Sequence, residues 1–300
     1  MHVKYSIIIP HKNSADLLSQ CLSTIPQSTE LQIIVIDDNS NVENLEKLND
    51  IKLGYPDICW IFDKSGKGAG HARNLGLKEA KGEWLIFIDA DDELLNSALD
   101  VWNNSTHQHE DCDIIYYNVE TNSNDQGDRV NIKKRTISSL ADSKDRLEDY
   151  LKFEFTEPWG KLIKHSFIRK NNVTFQESLV ANDYMFSIKG GYYAQQIAYW
   201  PISFYKAISR STSLSNTALD EKKLISRLEV FLTGERFLIS HNIKRTPFSN
   251  LVAFIVTKHI GKISCIKAVC RDYNLSFAKV VINSLFTRIL GVNNRAVENK

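Results

Sequence analysis

The stretch WLIFIDADDE, Trp84–Glu93, ends an apolar run in three aspartates, Asp89, Asp91 and Asp92, with only Ala90 between the first two. Like charges a few ångströms apart repel one another unless a cation or a set of strong donors sits among them. The residues therefore describe either a solvated turn or a place built to hold a metal. One aspartate at a strand end is readily explained as the cap of a following helix. A DAD with a further Asp directly behind it is harder to explain that way.

A second stretch, GKGAGHARN (Gly66–Asn74), offers glycines followed by a cation. It is not a P-loop, because no GK[ST] closes it, and the dinucleotide fingerprint lacks its third glycine, where Arg73 stands. Gly68 and Gly70 nevertheless permit close backbone approach, a helix start behind them favours anions, and Arg73 can add charge-assisted bonds. A phosphate-bearing ligand suits such a loop; the bland alternative is a flexible turn with a solvated arginine.

Both stretches must be placed by the elements around them. YSIIIP (Tyr5–Pro10), LQIIVIDD (Leu31–Asp38), ICWIFD (Ile58–Asp63) and WLIFIDAD (Trp84–Asp91) are short runs rich in β-branched and aromatic residues, the pattern of strands buried on both faces. Between them the period turns helical. After Ser14, a possible cap, Leu17, Leu18, Cys21, Leu22 and Ile25 share one face. This alternation predicts a largely parallel α/β sheet with right-handed crossovers, and CDIIYYNV (Cys112–Val119) predicts a fifth strand. In such sheets ligands bind beyond the carboxyl ends of the strands. The residues to watch are therefore Pro10–Asn13, Asp37–Ser40, Asp63–Gly70 and Asp89–Asp92, an acidic rim. The polar stretch ETNSNDQGDRVNIKKRT then predicts an edge hairpin or loop. From about Thr217 to Asn294 the pattern is helical, with breaks near His241–Pro247 and Asp272–Asn274, so we place a boundary near Asn216: residues 1–216 and 217–300.

Composition excludes several classes. Of 300 residues, 43% are hydrophobic and 24% charged, as in a folded globular chain rather than a disordered one. The net charge of +1 is unevenly spread, since beyond His241 only Asp272 and Glu298 oppose a long series of Lys and Arg. The five cysteines are scattered without CxxC spacing, which argues against disulfides and zinc cages. The short apolar opening is unlike a signal sequence, and no apolar run is long enough for a membrane span. A cytoplasmic protein is the expectation, without a nucleic-acid partner.

The motifs YSIIIPHKN, IIVIDDNS, GAGHARNLGLKEAKGEWLIFIDADDEL and EPWGKLIKHSFIRKNNVTFQE, in this order, resemble family 2 glycosyltransferases with the GT-A fold. The resemblance covers about two thirds of the chain. It implies a Rossmann-like mixed sheet flanked by helices, and transfer of a sugar from a nucleotide-diphosphate donor, commonly UDP-linked, with inversion at the anomeric carbon. It further implies a saccharide or lipid-linked acceptor, in lipopolysaccharide, O-antigen or capsule synthesis. By the same resemblance Pro10, Asn13 and Asp38 line the nucleoside pocket, with Asp38 accepting a bond from the base. Gly70 and Arg73 face the base or diphosphate. Asp89 and Asp91 match the family's DxD, with Asp91 the direct ligand of Mn²⁺ or Mg²⁺ and Asp89 also contacting ribose. Asp92 is left to cap the next helix. Family members carry Glu-Asp after a Phe-x-Glu segment; here Asn182–Asp183 stands in that place, which makes Asp183 the candidate base. In SFYKAISRSTSLS, Arg210 and Ser213 match a segment that closes over the diphosphate, and Trp159 and Lys161 fall where the family shapes the sugar side. Trp159 fits a sugar platform and a core residue equally.

Three rivals meet obstacles. An aspartyl-phosphate phosphatase carries its DxD after the first strand and Thr or Val where Glu93 stands. A nucleotidyltransferase needs a Gly- and Lys-rich loop after the first strand, which PHKNSADLL does not supply. A donor-binding protein without activity is disfavoured by Asp89, Asp91 and Asp183, although Asn182 keeps it open. The basic, apolar-striped tail suits either the inner membrane surface or packing on this chain or a second copy of it.

Overall fold

The structure is a computed structural model and describes residues 2–210 and 220–290. Ser213, Asn216 and the last ten residues of the chain lie outside the described residues. The chain divides into two compact units, Met1–Glu177 with Met185–Ser213, and Ser178–Tyr184 with Leu214–Lys300.

The first unit runs β1 (Tyr5–His11), α1 (Ala15–Ser23), β2 (Leu31–Asp38), α2 (Val42–Gly54), β3 (Cys59–Asp63), α3 (Ala69–Glu79) and β4 (Trp84–Phe87). It continues with β5 (Glu93–Leu94), α4 (Ala98–Gln108), β6 (Ile114–Thr121), α5 (Arg129–Leu140), α6 (Lys144–Phe153), β7 (Lys161–Lys164), α7 (His165–Lys170), α8 (Tyr184–Tyr193) and β8 (Ile197–Ala207). The eight strands form one mixed sheet in the order β3-β2-β1-β4-β7-β6-β8-β5. Strands β1 to β4 are parallel, with Ile8 facing Ile34 and Phe87 on its two sides. Strand β7 runs antiparallel between β4 and β6.

Every residue of β1 is buried, as its unbroken apolar run requires for a central strand covered on both faces. Helix α1 buries Leu18, Cys21 and Leu22, the stripe expected from the sequence. Ser14 precedes it but makes no side-chain cap; its own N–H bonds to His11 instead. Gly76 lets α3 lie directly on the sheet, since a Cβ there would come 2.5 Å from Ile8 Cγ2.

The segment expected to be a hairpin or loop is corrected. Strand β6 runs on to Thr121, and after a turn the chain enters helix α5 at Arg129. Asp128 starts that helix by accepting bonds from the Val130 and Asn131 N–H groups. Val130, Lys133, Ile137 and Leu140 then form its buried face. A lysine inside that face hides the stripe from a reading based on apolar residues alone.

The second unit holds α9 (Glu221–Ser240), α10 (Pro247–Lys258), a 3₁₀ turn (Ile260–Lys262), α11 (Ile263–Asp272) and α12 (Phe277–Leu290). Leu224, Leu228, Phe248, Val252, Ile266 and Val269 lie in its core. The two breaks fall where expected, with Asn242 and Asn274 left-handed and Pro247 opening α10. Among the described residues no helix is long and apolar enough to cross a membrane.

Candidate active site

The order β3-β2-β1-β4 brings the carboxyl ends of four parallel strands onto one rim. Pro10 and His11, the last residues of β1, pair with Ile36 and Asp37 of β2. His11 is buried, with Nδ1 2.9 Å from Asp37 Oδ1, and its Nε2 accepts the Ser14 N–H at 3.1 Å. That acceptor role puts the proton on Nδ1, which donates to Asp37. Burial alone would raise the Asp37 carboxyl; bonds from His11 and from both the hydroxyl and N–H of Ser40 outweigh it and hold it below its ordinary value. Asn13, left-handed at φ 51°, joins the two strand exits: its N–H donates to Ser40 Oγ and its Oδ1 accepts the Asn41 N–H, both at 2.8 Å.

Asp38 faces the glycine loop. Its two carboxylate oxygens accept the Gly68 N–H at 3.0 and 3.1 Å, and Lys12 Nζ stands 3.1 Å away. Gly68, at φ 94°, enters α3 in a conformation open to glycine. Gly70 is buried in the first turn behind it. One turn on, Arg73 is buried; its Nη2 donates to Asp89 Oδ1 at 2.6 Å and its guanidinium lies over the Phe175 ring. His71 points the other way, with Nδ1 2.8 Å from Glu177 Oε1 and Nε2 3.5 Å from Asp63 Oδ2. Both carboxylates are held below their ordinary values, Glu177 chiefly by the bond to His71 and Asp63 chiefly by the bond from Ser65.

Strand β4 ends at Phe87, so Asp89, Asp91 and Asp92 form a turn beyond it. Each carboxylate has a different partner. Asp89 takes Arg73, Asp91 accepts from Arg210 Nη1 at 2.9 Å, and Asp92 binds the far end of β8. Arg210 Nη2 also donates to the Asp91 carbonyl at 2.7 Å. The expected capping role of Asp92 is corrected: α4 starts only at Ala98, and Asp92 accepts instead from the Tyr205 hydroxyl and from the Ile208 N–H at 2.7 Å. Burial, and then the charge of Asp89, push the Asp92 carboxyl up to about 7. The same two causes raise Asp91, and Arg210 only partly opposes them.

Trp159 is buried and stacks on Tyr205, its rings 5.5 Å apart and 12° from parallel, which makes it core rather than a sugar platform. Lys161 is buried too, donating to the Phe155 carbonyl at 2.6 Å. Asp183 lies in Ser178–Tyr184, the segment grouped with the helical unit, immediately before α8. The rim thus gathers Pro10, Asn13, Asp38, Gly70, Arg73, Asp89, Asp91 and Arg210 within the first unit, and Asp183 belongs to the second. Sequence reasoning missed Tyr205, Ile208 and the His71–Glu177 pair. Only a paired strand places the first two, and no spacing in the sequence announces them.

Whether a divalent ion fits is decided by the aspartate turn. Among the described residues no three His, Cys, Asp or Glu side chains gather into a metal cage. Two carboxylates are present on one turn, however, and repulsion from Asp89 contributes to raising Asp91. Hard cations such as Mg²⁺ are bound by one or two carboxylates plus substrate phosphates and water. A pair of this kind fits that mode.

A parallel half-sheet with acids and a glycine–arginine turn at its carboxyl rim, joined through the antiparallel β7 to a mixed half in which β6 and β8 pair in parallel, is the GT-A arrangement. The chain belongs to glycosyl transferase family 2, whose family model matches residues 6–171. It is 32% identical over 204 residues to a poly(ribitol-phosphate) β-glucosyltransferase of Bacillus spizizenii, covering 65% of this chain and 31% of that protein. It is 27% identical over 284 residues to a cholesterol galactosyltransferase of Borreliella burgdorferi, covering 87% of this chain and 76% of that one. The chain therefore spans about a third of the length of the Bacillus relative. The crystal structure of S. aureus TarS 1–349 in complex with UDP-GlcNAc shares its fold, with TM-score 0.64 at 18% identity over 95% of this chain and 87% of that one.

Proposed function

We propose that this chain is a metal-dependent, inverting glycosyltransferase that moves a sugar from a nucleotide-diphosphate donor, UDP-linked, to a saccharide or lipid-linked acceptor in cell-surface polysaccharide synthesis. The observation that carries the reading is the rim, where the glycine loop and Arg73 face the Asp89–Asp91 turn across one Arg73–Asp89 ion pair. A donor diphosphate needs an approachable backbone, fixed positive charge and a place for a cation, and these residue types supply all three.

In this reading Pro10, Asn13 and Asp38 line the nucleoside end, while Gly70 and Arg73 serve the base or diphosphate. Asp91, with Asp89, would hold Mn²⁺ or Mg²⁺, and Asp89 also meets the ribose. When bound, the cation neutralises charge developing on the diphosphate leaving group. Arg210 adds a second positive charge beside Asp91. Asp183 takes the proton from the acceptor hydroxyl as that oxygen attacks the anomeric carbon and the bond to the diphosphate breaks, which inverts the configuration.

The basic helical unit suits the inner face of a membrane. Phe254, Ile260, Ile282 and Phe286 are exposed, and Lys258, Lys262 and Lys279 lie near them in sequence. Co-sedimentation with anionic but not neutral vesicles is expected, and equal retention by neither would remove the membrane from the reading.

The experiment is a thermal-shift screen of nucleotide sugars with and without Mn²⁺, because a ligand that binds only the folded state raises the melting temperature. Stabilisation by a UDP-sugar that depends on the metal, and is lost together with transfer in Asp91→Ala, is the expected result. A fully active Asp91→Ala protein would refute the metal assignment.

A further inference from the structure

The end of β8 and the residue just beyond it grip the aspartate turn at several points, and two of the residues involved are buried. The Tyr205 hydroxyl receives the Asp89 N–H at 3.3 Å and donates to Asp92 Oδ2. Asp92 Oδ1 accepts the Ile208 N–H at 2.7 Å, so both oxygens of Asp92 are used inward. Asp92 is 7% exposed and Tyr205 wholly buried. Neither can reach a ligand on the rim. The backbone of Asp89 is thus tied to β8 on one side of Asp91 and the carboxylate of Asp92 on the other. Strand β5, which follows at once, pairs with β8 through Leu94 and Tyr205. Behind Tyr205 the stacked Trp159 fixes its ring.

We propose that Tyr205 and Asp92 are positioning residues for the donor site: their hydrogen bond sets the spacing and direction of the Asp89 and Asp91 carboxylates, and so the affinity for a divalent cation with its diphosphate. The inference rests on the donor-site reading above. Tyr205 acts through the Asp89 backbone and Asp92 through the turn's closure. A hydrogen-bond partner one step behind a metal-binding carboxylate is worth about 10- to 100-fold in metal affinity when lost.

Tyr205→Phe separates this role from packing, because it keeps the ring against Trp159 and removes only the hydroxyl. The full chain is titrated with Mn²⁺ in the presence of UDP by calorimetry, its melting is followed without ligands, and kcat and donor KM are measured where transfer is detected. The expected result is Mn²⁺ binding weakened by about tenfold or more, with the ligand-free melting temperature lowered by a few degrees at most and donor KM at fixed Mn²⁺ raised. Asp92→Asn is the second variant. It cannot offer two acceptors, and the same loss is expected of it should Tyr205→Phe fail to fold. Mn²⁺ affinity within twofold of the wild type in a folded variant would overturn the proposal and leave the donor site standing. Absence of metal-dependent UDP binding in the wild type would overturn the donor-site reading and this inference with it.

Discussion

Between α5 and the approach to β7 lies a buried ion pair whose removal can be worked through in detail. Lys133 on α5 and Glu157 before β7 are 7% and 8% exposed at their side chains, with Nζ 2.7 Å from Oε2. Lys133 also sits 3.9 Å from the centre of the Phe155 ring. Burial alone would raise the Glu157 carboxyl, but Lys133 and then Arg129 reverse the sign and hold it below its ordinary value. In Lys133→Met the packing volume is kept and the counter-charge is lost. Stripping one partner from a buried pair costs about 3–5 kcal/mol. Arg129 Nε remains 3.5 Å from the other oxygen, so we expect the lower end, about 3 kcal/mol. For a unit of this size that is roughly 6–12 °C in melting temperature. A carboxyl whose folded pKa is depressed contributes stability above its unfolded pKa and loses it as pH falls through the folded value. The deficit of the variant is therefore greatest at neutral pH and closes as pH falls through the depressed folded value of the carboxyl. Urea unfolding of both proteins at pH 7 and at successively lower pH, as far as the wild type stays folded, tests this. A variant as stable as the wild type at pH 7, or a deficit equally large in acid, would refute the reasoning.

Two further outcomes are expected. Gly76→Ala should lose about 1–3 kcal/mol in urea unfolding, because the new Cβ would stand 2.5 Å from Ile8 Cγ2 and 3.0 Å from Ile36 Cδ1; unchanged or improved stability would mean that α3 shifts freely on the sheet. Asp183→Asn should keep donor binding by thermal shift near wild type while turnover falls about 100-fold or more; unchanged turnover would place the base elsewhere.

The parallel half of the sheet was legible because its strands are apolar on both faces and end in charge. A run such as YSIIIP followed by polar residues can hardly be anything else once three others like it follow. The rim acids were legible for the same reason, since position at a strand end is a one-dimensional property. Partner choice is not. Asp89, Asp91 and Asp92 are neighbours in sequence, yet one turns to α3, one to Arg210 and one to Tyr205. The spacing of DADD contains none of those directions, and Asp92 looked like a cap because local explanations are the only ones a short window offers. Helix α5 was hidden because Lys133 occupies a buried position that apolar periodicity counts as solvent. Its start is fixed by Asp128, whose carboxylate accepts the Val130 and Asn131 N–H groups. The helical breaks near Asn242 and Asn274 were legible because they depend on local backbone conformation.

The grip of β8 on the aspartate turn also dictates an order of events in time. Tyr205 and Asp92 are 113 residues apart, Ile208 and Asp92 116, and Arg210 and Asp91 119. Contacts of such span close late, after the loop between them has paid its entropy, and chains fold from the amino end as they are made. Strands β1 to β4 can pair as soon as the first third of the chain is free. In the turn that follows them Asp89 has Arg73 at hand, but Asp91 and Asp92 lack their partners until β8 and Arg210 arrive, more than a hundred residues later. A chain interrupted before Tyr205 would hold the parallel strands but no finished rim, so the readiness of the site waits on β8.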